Sequence, residues 1–138
     1  MSAKILGLLE TALYVREPNV AADFYRRVFG FPTLLDSERL VALEITGKQV
    51  MLLFRAGGTS EPFDTGRGLI PGHGGSGPDH LAFAIAPHEV DDWCRKLTES
   101  GIEIESRVVW ETGSISLYFR DPDQNLVELM TPGFWWKG

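Results

Sequence analysis

Residues 7–23 lie over residues 77–93 of the same chain without a gap, and nothing else in the sequence limits the fold as much. In GLLETALYVREPNVAAD and GPDHLAFAIAPHEVDDW, Ala12 falls on Ala82, Val15 on Ile85 and Val20 on Val90. A second match sets KQVMLLF (48–54) over QNLVELM (124–130). Self-similarity at about half the chain length means two copies of one supersecondary unit. The repeat also pairs Glu10 with His80 and Leu52 with Glu128. Three of these four equivalent positions therefore carry side chains that ligate metals.

Glu128 lies in the last long stretch, SISLYFRDPDQNLVELMTP (114–132), which reads as two strands and a tight turn. Pro122 fixes φ in that turn, and Asp121, Asp123 and Asn125 can bond their own backbone. An ionised Glu between Val127 and Leu129 is costly in a dry core without a partner. A metal ion is one reading, and a solvent-facing Glu on a half-exposed strand is the other. The ligand-type residues at the equivalent positions Glu10 and His80 favour the metal.

The elements follow in order. Residues 7–15 form a strand with Leu9, Leu13 and Val15 on one face and Leu8, Glu10, Ala12 and Tyr14 on the other. Pro18 and Asn19 open a helix, Val20, Phe24 and Val28 recur at four-residue spacing, and Gly30 closes it. Asp23, Arg26 and Arg27 form its solvated side. Strands at 31–35, 39–46 and 49–55 follow, with Gly47-Lys48 in the second turn and Glu44 at the surface. Residues 55–79, rich in Gly and Pro, have no apolar period and read as a long loop without regular structure. Phe63, Leu69 and Ile70 imply that part of it docks on something apolar. His73 in that loop is either a lone polar residue of a mobile segment or a substrate contact.

The second copy begins with a strand at 79–85, where His80, Ala82 and Ala84 share one face. Pro87 opens a helix carrying Val90, Trp93 and Leu97, and Gly101 ends it. Within this helix His88 is expected to be exposed, and Cys94 to be a buried structural thiol. Strands at 102–109 and 115–120 complete the copy, with a turn at Thr112-Gly113-Ser114. Met130, Pro132, Phe134, Trp135 and Trp136 make an apolar tail expected to pack on a pocket or on a second subunit.

A chain of 138 residues is expected to be one domain (1–138), with modules at about 6–55 and 79–131 joined by a loop at 56–78. A net charge of −6 argues against non-specific binding to nucleic acid or to an anionic membrane. The single Cys94 cannot form an internal disulfide, which suits a cytoplasmic setting, and MSAKILGLLE reads as neither secretory signal nor membrane span.

The order strand–helix–three strands, given twice, joins YVREPNVAADFYRRVFGF, DHLAFAI and YFRDPDQNLVEL in a pattern that resembles the vicinal oxygen chelate superfamily. That group includes glyoxalase I, extradiol dioxygenases, fosfomycin-resistance thiol transferases and bleomycin-resistance proteins. The resemblance implies an α+β fold in which two βαβββ modules form a curved antiparallel sheet. It implies a divalent metal (Zn, Ni, Mn or Fe(II)) on the concave side, held by Glu10, His80 and Glu128. Leu52 stands where glyoxalase I enzymes usually carry a fourth ligand. Tyr118 matches a tyrosine that lies near the metal-bound substrate in extradiol enzymes. Against extradiol cleavage, Gln124 replaces an expected Gly or Pro, and no His occurs between Ser106 and Ser114. Against fosfomycin chemistry, only Lys137 supplies a cation after Glu128.

The activity implied is that of a metal-dependent, lyase- or isomerase-like enzyme that chelates vicinal oxygens of a small substrate. Glu128 and Glu10 would serve as proton acceptors and Tyr118 would orient or protonate a substrate oxygen. The alternative is an antibiotic- or aromatic-ligand-binding resistance protein without catalysis, in which Trp110, Trp135 and Trp136 cover the ligand. A homodimer is expected in either case.

Overall fold

The computed structural model describes residues 3–136, so Lys137 lies outside the described residues. Met1–Ser76 and Gly77–Gly138 form two compact units, each built on a four-stranded sheet. In the first unit, β1 (Glu10–Val15) leads into α1 (Pro18–Phe29), and β2 (Thr33–Asp36), β3 (Leu40–Ile45) and β4 (Gln49–Arg55) follow. The sheet order is β1-β4-β3-β2. The helix returns the chain, so after two hairpins β4 runs in the direction of β1 and pairs with it in parallel. The sheet is therefore mixed rather than wholly antiparallel.

Alternation along the strands sorts the side chains. Leu13, Val15, Val41, Leu43, Met51 and Leu53 are buried on the face that takes α1. The helix buries Ala21, Ala22, Phe24, Tyr25 and Val28. Val20 instead stays 55% exposed, because the buried stripe runs through 21, 24, 25 and 28, the i, i+3, i+4, i+7 pattern of a helix on a sheet. Gly30 ends the helix in the left-handed region at φ 72°, and its N–H bonds the Arg26 carbonyl. Residues 7–9 lie outside the strand expected there, although the Leu9 carbonyl still accepts the Val50 N–H.

The loop after β4 has more regular structure than its composition implied. It carries a small hairpin, β5 (Phe63–Asp64) paired with β6 (Leu69–Ile70). Near its end, the His73 N–H bonds the Thr59 carbonyl at 2.8 Å and the Thr59 hydroxyl bonds the His73 carbonyl at 2.7 Å.

The second unit repeats the plan. β7 (His80–Ala84) leads to a 3-10 turn at Pro87–Glu89 and then α2 (Val90–Glu99). β8 (Ser106–Val109), β9 (Ile115–Arg120) and β10 (Leu126–Met130) complete the order β7-β10-β9-β8. The strand expected at 102–109 is shorter, because residues 102–105 stay irregular after the Gly101 turn. Leu117, Phe119, Val127 and Leu129 are fully buried on one face. In α2, Val90 and Leu97 are buried and His88 before it is exposed, whereas Cys94 is half-buried rather than buried.

Between β9 and β10 the turn is held by one carboxylate. Asp121 Oδ1 accepts the N–H groups of Asp123 and Asn125, each at 2.9 Å, and its Oδ2 accepts the Asn125 amide at 3.0 Å. The Asn125 side chain in turn accepts the Asp79 N–H at 2.8 Å, tying the start of β7 to the turn. Gln124 sits in the left-handed region at φ 67°, a conformation that favours Gly and costs another residue roughly 1–2 kcal/mol. This explains why Gly suits the position that Gln124 occupies here. Among the described residues no helix is long and apolar enough to cross a membrane.

Candidate metal centre

The strand registers reproduce the sequence repeat. Ala12 faces Leu52 across β1 and β4, and Ala82 faces Glu128 across β7 and β10. Leu52 thus occupies in the first unit the place that Glu128 holds in the second, so an alkyl group stands where the repeat carries a carboxylate.

In the second unit, His80 and Glu128 share the sheet face opposite the core, and the small Ala82 between them leaves room for both. The imidazole Nε2 lies 3.1 Å from Glu128 Oε1. The other ring nitrogen, Nδ1, lies 2.9 Å from the Leu126 carbonyl, so Nδ1 carries the proton. In a neutral ring, Nε2 then points a lone pair at a carboxylate oxygen. Two acceptors this close need a shared cation, either a metal ion or a second ring proton. An imidazole whose far N–H is fixed by a backbone carbonyl is the usual arrangement of a metal-ligating His.

Glu128 is only 6% exposed, and its other oxygen is also committed. Oε2 accepts the Ser116 hydroxyl at 2.5 Å, and Ser116 Oγ accepts the Trp110 indole N–H at 2.9 Å. The Trp110 ring packs on Phe134 with centroids 4.8 Å apart. This chain fixes the carboxylate in one orientation. Tyr118 lies directly opposite Glu128 across β9 and β10, and its ring centroid is 6.4 Å from that of His80. It faces the His80–Glu128 pair, away from the buried Leu117 and Phe119. Burial pushes its phenol up, and the neighbouring Glu128 charge adds to the rise.

Glu10 lies in the first unit, exposed at the start of β1, and makes no hydrogen bond or ion pair among the described residues. It lines a cleft of about 440 Å³ together with Arg39, Leu40, Leu52, Phe54 and His73. His73 is a fixed part of that cleft rather than a lone residue of a mobile loop. Its Nδ1 lies 2.6 Å from the Tyr14 hydroxyl, and its ring meets Phe54 edge-on at 4.9 Å. Among the described residues no three His, Cys, Asp or Glu side chains form a group able to hold a metal. The pair His80–Glu128 is assembled in one unit, and Glu10 is presented by the other.

Ser116 was not singled out by the sequence, and Trp110 only as a cover for an aromatic ligand. Ser116 could have been, since strand alternation puts it on the face of Tyr118. The Trp110 link spans a turn and has no sequence signal.

A family model described as the Glyoxalase/Bleomycin resistance protein/Dioxygenase superfamily matches residues 7–129, through both units. The chain belongs to this superfamily. It is 30% identical over 129 residues to the metallothiol transferase FosB of Bacillus licheniformis, covering 93% of this chain and 77% of the relative. Among solved structures it resembles the lactoylglutathione lyase of Agrobacterium tumefaciens, with TM-score 0.87, 34% identity and coverage of 96% and 98% of the two chains. The fosfomycin resistance protein FosX of Listeria monocytogenes, complexed with Mn(II) and sulfate, shares the fold at TM-score 0.70 and 22% identity, covering 95% and 94%. The superfamily relatives thus include lyases and thiol transferases, and FosX binds a divalent metal.

Proposed function

We propose that this chain is a divalent-metal-dependent enzyme acting on a small molecule through adjacent substrate oxygens, as a lyase or isomerase of the glyoxalase kind. His80, Glu128 and Glu10 are its metal ligands. The observation that carries this reading is the His80–Glu128 geometry, in which an imidazole with its far nitrogen tied to Leu126 aims the near one at a carboxylate oxygen. A donor set of one imidazole and two carboxylates fits Mn, Fe(II), Ni or Zn. A bound ion would supply Lewis-acid polarisation of the substrate oxygens.

The chain's own side chains account for the rest. Trp110 and Ser116 hold Glu128 so that it keeps one oxygen toward His80. Glu10, without another partner among the described residues, is the carboxylate free to accept a proton from the substrate. The Tyr118 hydroxyl, on the same face as Glu128, donates to a substrate oxygen. In Tyr118→Phe, metal content and thermal unfolding should match the wild type. Turnover should fall about 100-fold or more, the scale of a lost proton-transfer group. The assay would use the substrate found by testing a metabolite panel on Mn(II)-, Ni(II)- and Zn(II)-loaded protein. Unchanged turnover would make Tyr118 a packing residue.

A second reading is favoured by a pocket of about 370 Å³ in the second unit, walled by Ala82, Ala84, Met130, Phe134, Trp135 and Trp136. Its composition suits an aromatic ligand, and a protein that bound such a ligand equally with and without metal would be a binder rather than an enzyme. Trp135 and Trp136 are 74% and 81% exposed, and Ile5, Leu6, Leu8 and Leu9 are exposed as well. This apolar surface supports a homodimer.

A further inference from the structure

The cleft of the first unit holds a cation that no carboxylate among the described residues pairs with. Arg26, Arg55, Arg95 and Arg120 each pair with a carboxylate. Arg39 lines the cleft and, among the described residues, has neither an ion pair nor a side-chain hydrogen bond. It is held by rings instead. Its guanidinium carbon lies 4.2 Å from the centroid of Phe63 and 5.9 Å from that of Phe54. Ring contacts engage the faces of a guanidinium and leave its in-plane N–H donors unused. A half-buried, pre-positioned fork of this kind matches a carboxylate.

The surrounding walls are carbon. Leu40, Leu52, Phe54 and Ile70 line the same cleft, and its volume of about 440 Å³ lies within the range of small-molecule sites, roughly 300–1,000 Å³. Phe63 and Ile70 pair across the β5–β6 hairpin, so one element both steadies Arg39 and supplies a wall. A chain of net charge −6 does not attract anions by its overall field, so recognition has to come from a local cation.

We propose that this cleft is a receptor for a small organic acid, a carboxylate on an apolar body, and that Arg39 recognises its charged end. That this acid is the substrate rests on the metalloenzyme reading above, with Glu10 in the same cleft. The anion site itself does not depend on that reading.

The test uses phenylacetate and its neutral analogue phenylacetamide as probes, titrated by NMR into the full chain with EDTA present so that no metal contributes. The wild type should bind phenylacetate about tenfold or more tightly than phenylacetamide, the scale of a charge-assisted hydrogen-bonded pair. Arg39→Gln should lose the preference. Arg39→Lys, which keeps the charge but not the fork, should retain part of it. Equal binding of the two probes, no binding of either, or a preference that survives Arg39→Gln would overturn the proposal. A separate Mn(II) titration without EDTA reports on the metal centre alone, so the two readings fail independently.

Discussion

Glu128→Gln should abolish turnover and weaken divalent-metal binding by at least about 100-fold, while leaving the protein folded and no less stable. The amide keeps the volume of the side chain and can still accept from Ser116, but it removes the charge that faces His80 Nε2. Changes to groups that merely orient a ligand already cost 10–100-fold in metal affinity, so removing a ligand's charge should cost more. Stability should move the other way. A carboxylate 6% exposed carries a desolvation penalty that a neutral amide relieves. A simple ion pair between Glu128 and a protonated His80 predicts the reverse pattern, with lowered stability and unchanged metal content. Metal titration and urea unfolding of the one variant separate these cases.

Asp121→Ala should be the most damaging change to the fold outside the apolar core. The turn places three donors on one buried carboxylate: the N–H groups of Asp123 and Asn125 and the Asn125 amide. Asp121 and Asn125 are 2% and 1% exposed, so water does not readily replace the lost acceptor. Unmade hydrogen bonds to buried donors cost about 1–3 kcal/mol each, and the local backbone can relax to recover part of this. A loss of about 2–4 kcal/mol is expected. It would be read as a lower urea midpoint with an unchanged m-value. Because Asn125 also holds the Asp79 N–H beside His80, metal affinity should fall as well. A midpoint equal to that of the wild type would show that the turn is fixed by Pro122 and its neighbours alone.

The parts of this architecture that were legible in the sequence are those set by local chemistry and by the repeat. Pro18 and Gly30 bracket α1, and Leu13 and Val15 mark the inward face of β1. The registers Ala12–Leu52 and Ala82–Glu128 follow the repeat residue for residue. Single-stripe reading failed at Val20, because Ala21, Ala22 and Tyr25 turn the helix toward the sheet by a broader face than four-residue spacing shows. Composition concealed the β5–β6 hairpin, since a two-residue strand is too short for periodicity to register.

Within the candidate site, the three proposed ligand positions, Glu10, His80 and Glu128, were picked out because the two copies could be compared. The supporting shell was not. The bond of Tyr14 to His73 joins residues 59 positions apart, and the Ser116 hydroxyl reaches Glu128 across 12. Such contacts are fixed by tertiary packing and leave no mark in spacing. The parallel pairing of β1 with β4 is a different matter, since counting chain reversals through the helix and two hairpins would have given it.

The central claim, that His80, Glu128 and Glu10 hold one divalent ion, is tested most directly by anomalous diffraction from crystals grown with Mn(II). The account predicts a single strong anomalous peak for each chain, bonded to His80 Nε2, to a Glu128 oxygen and to a Glu10 carboxylate. No peak beside His80 and Glu128, or a peak there without Glu10 among its ligands, would contradict it.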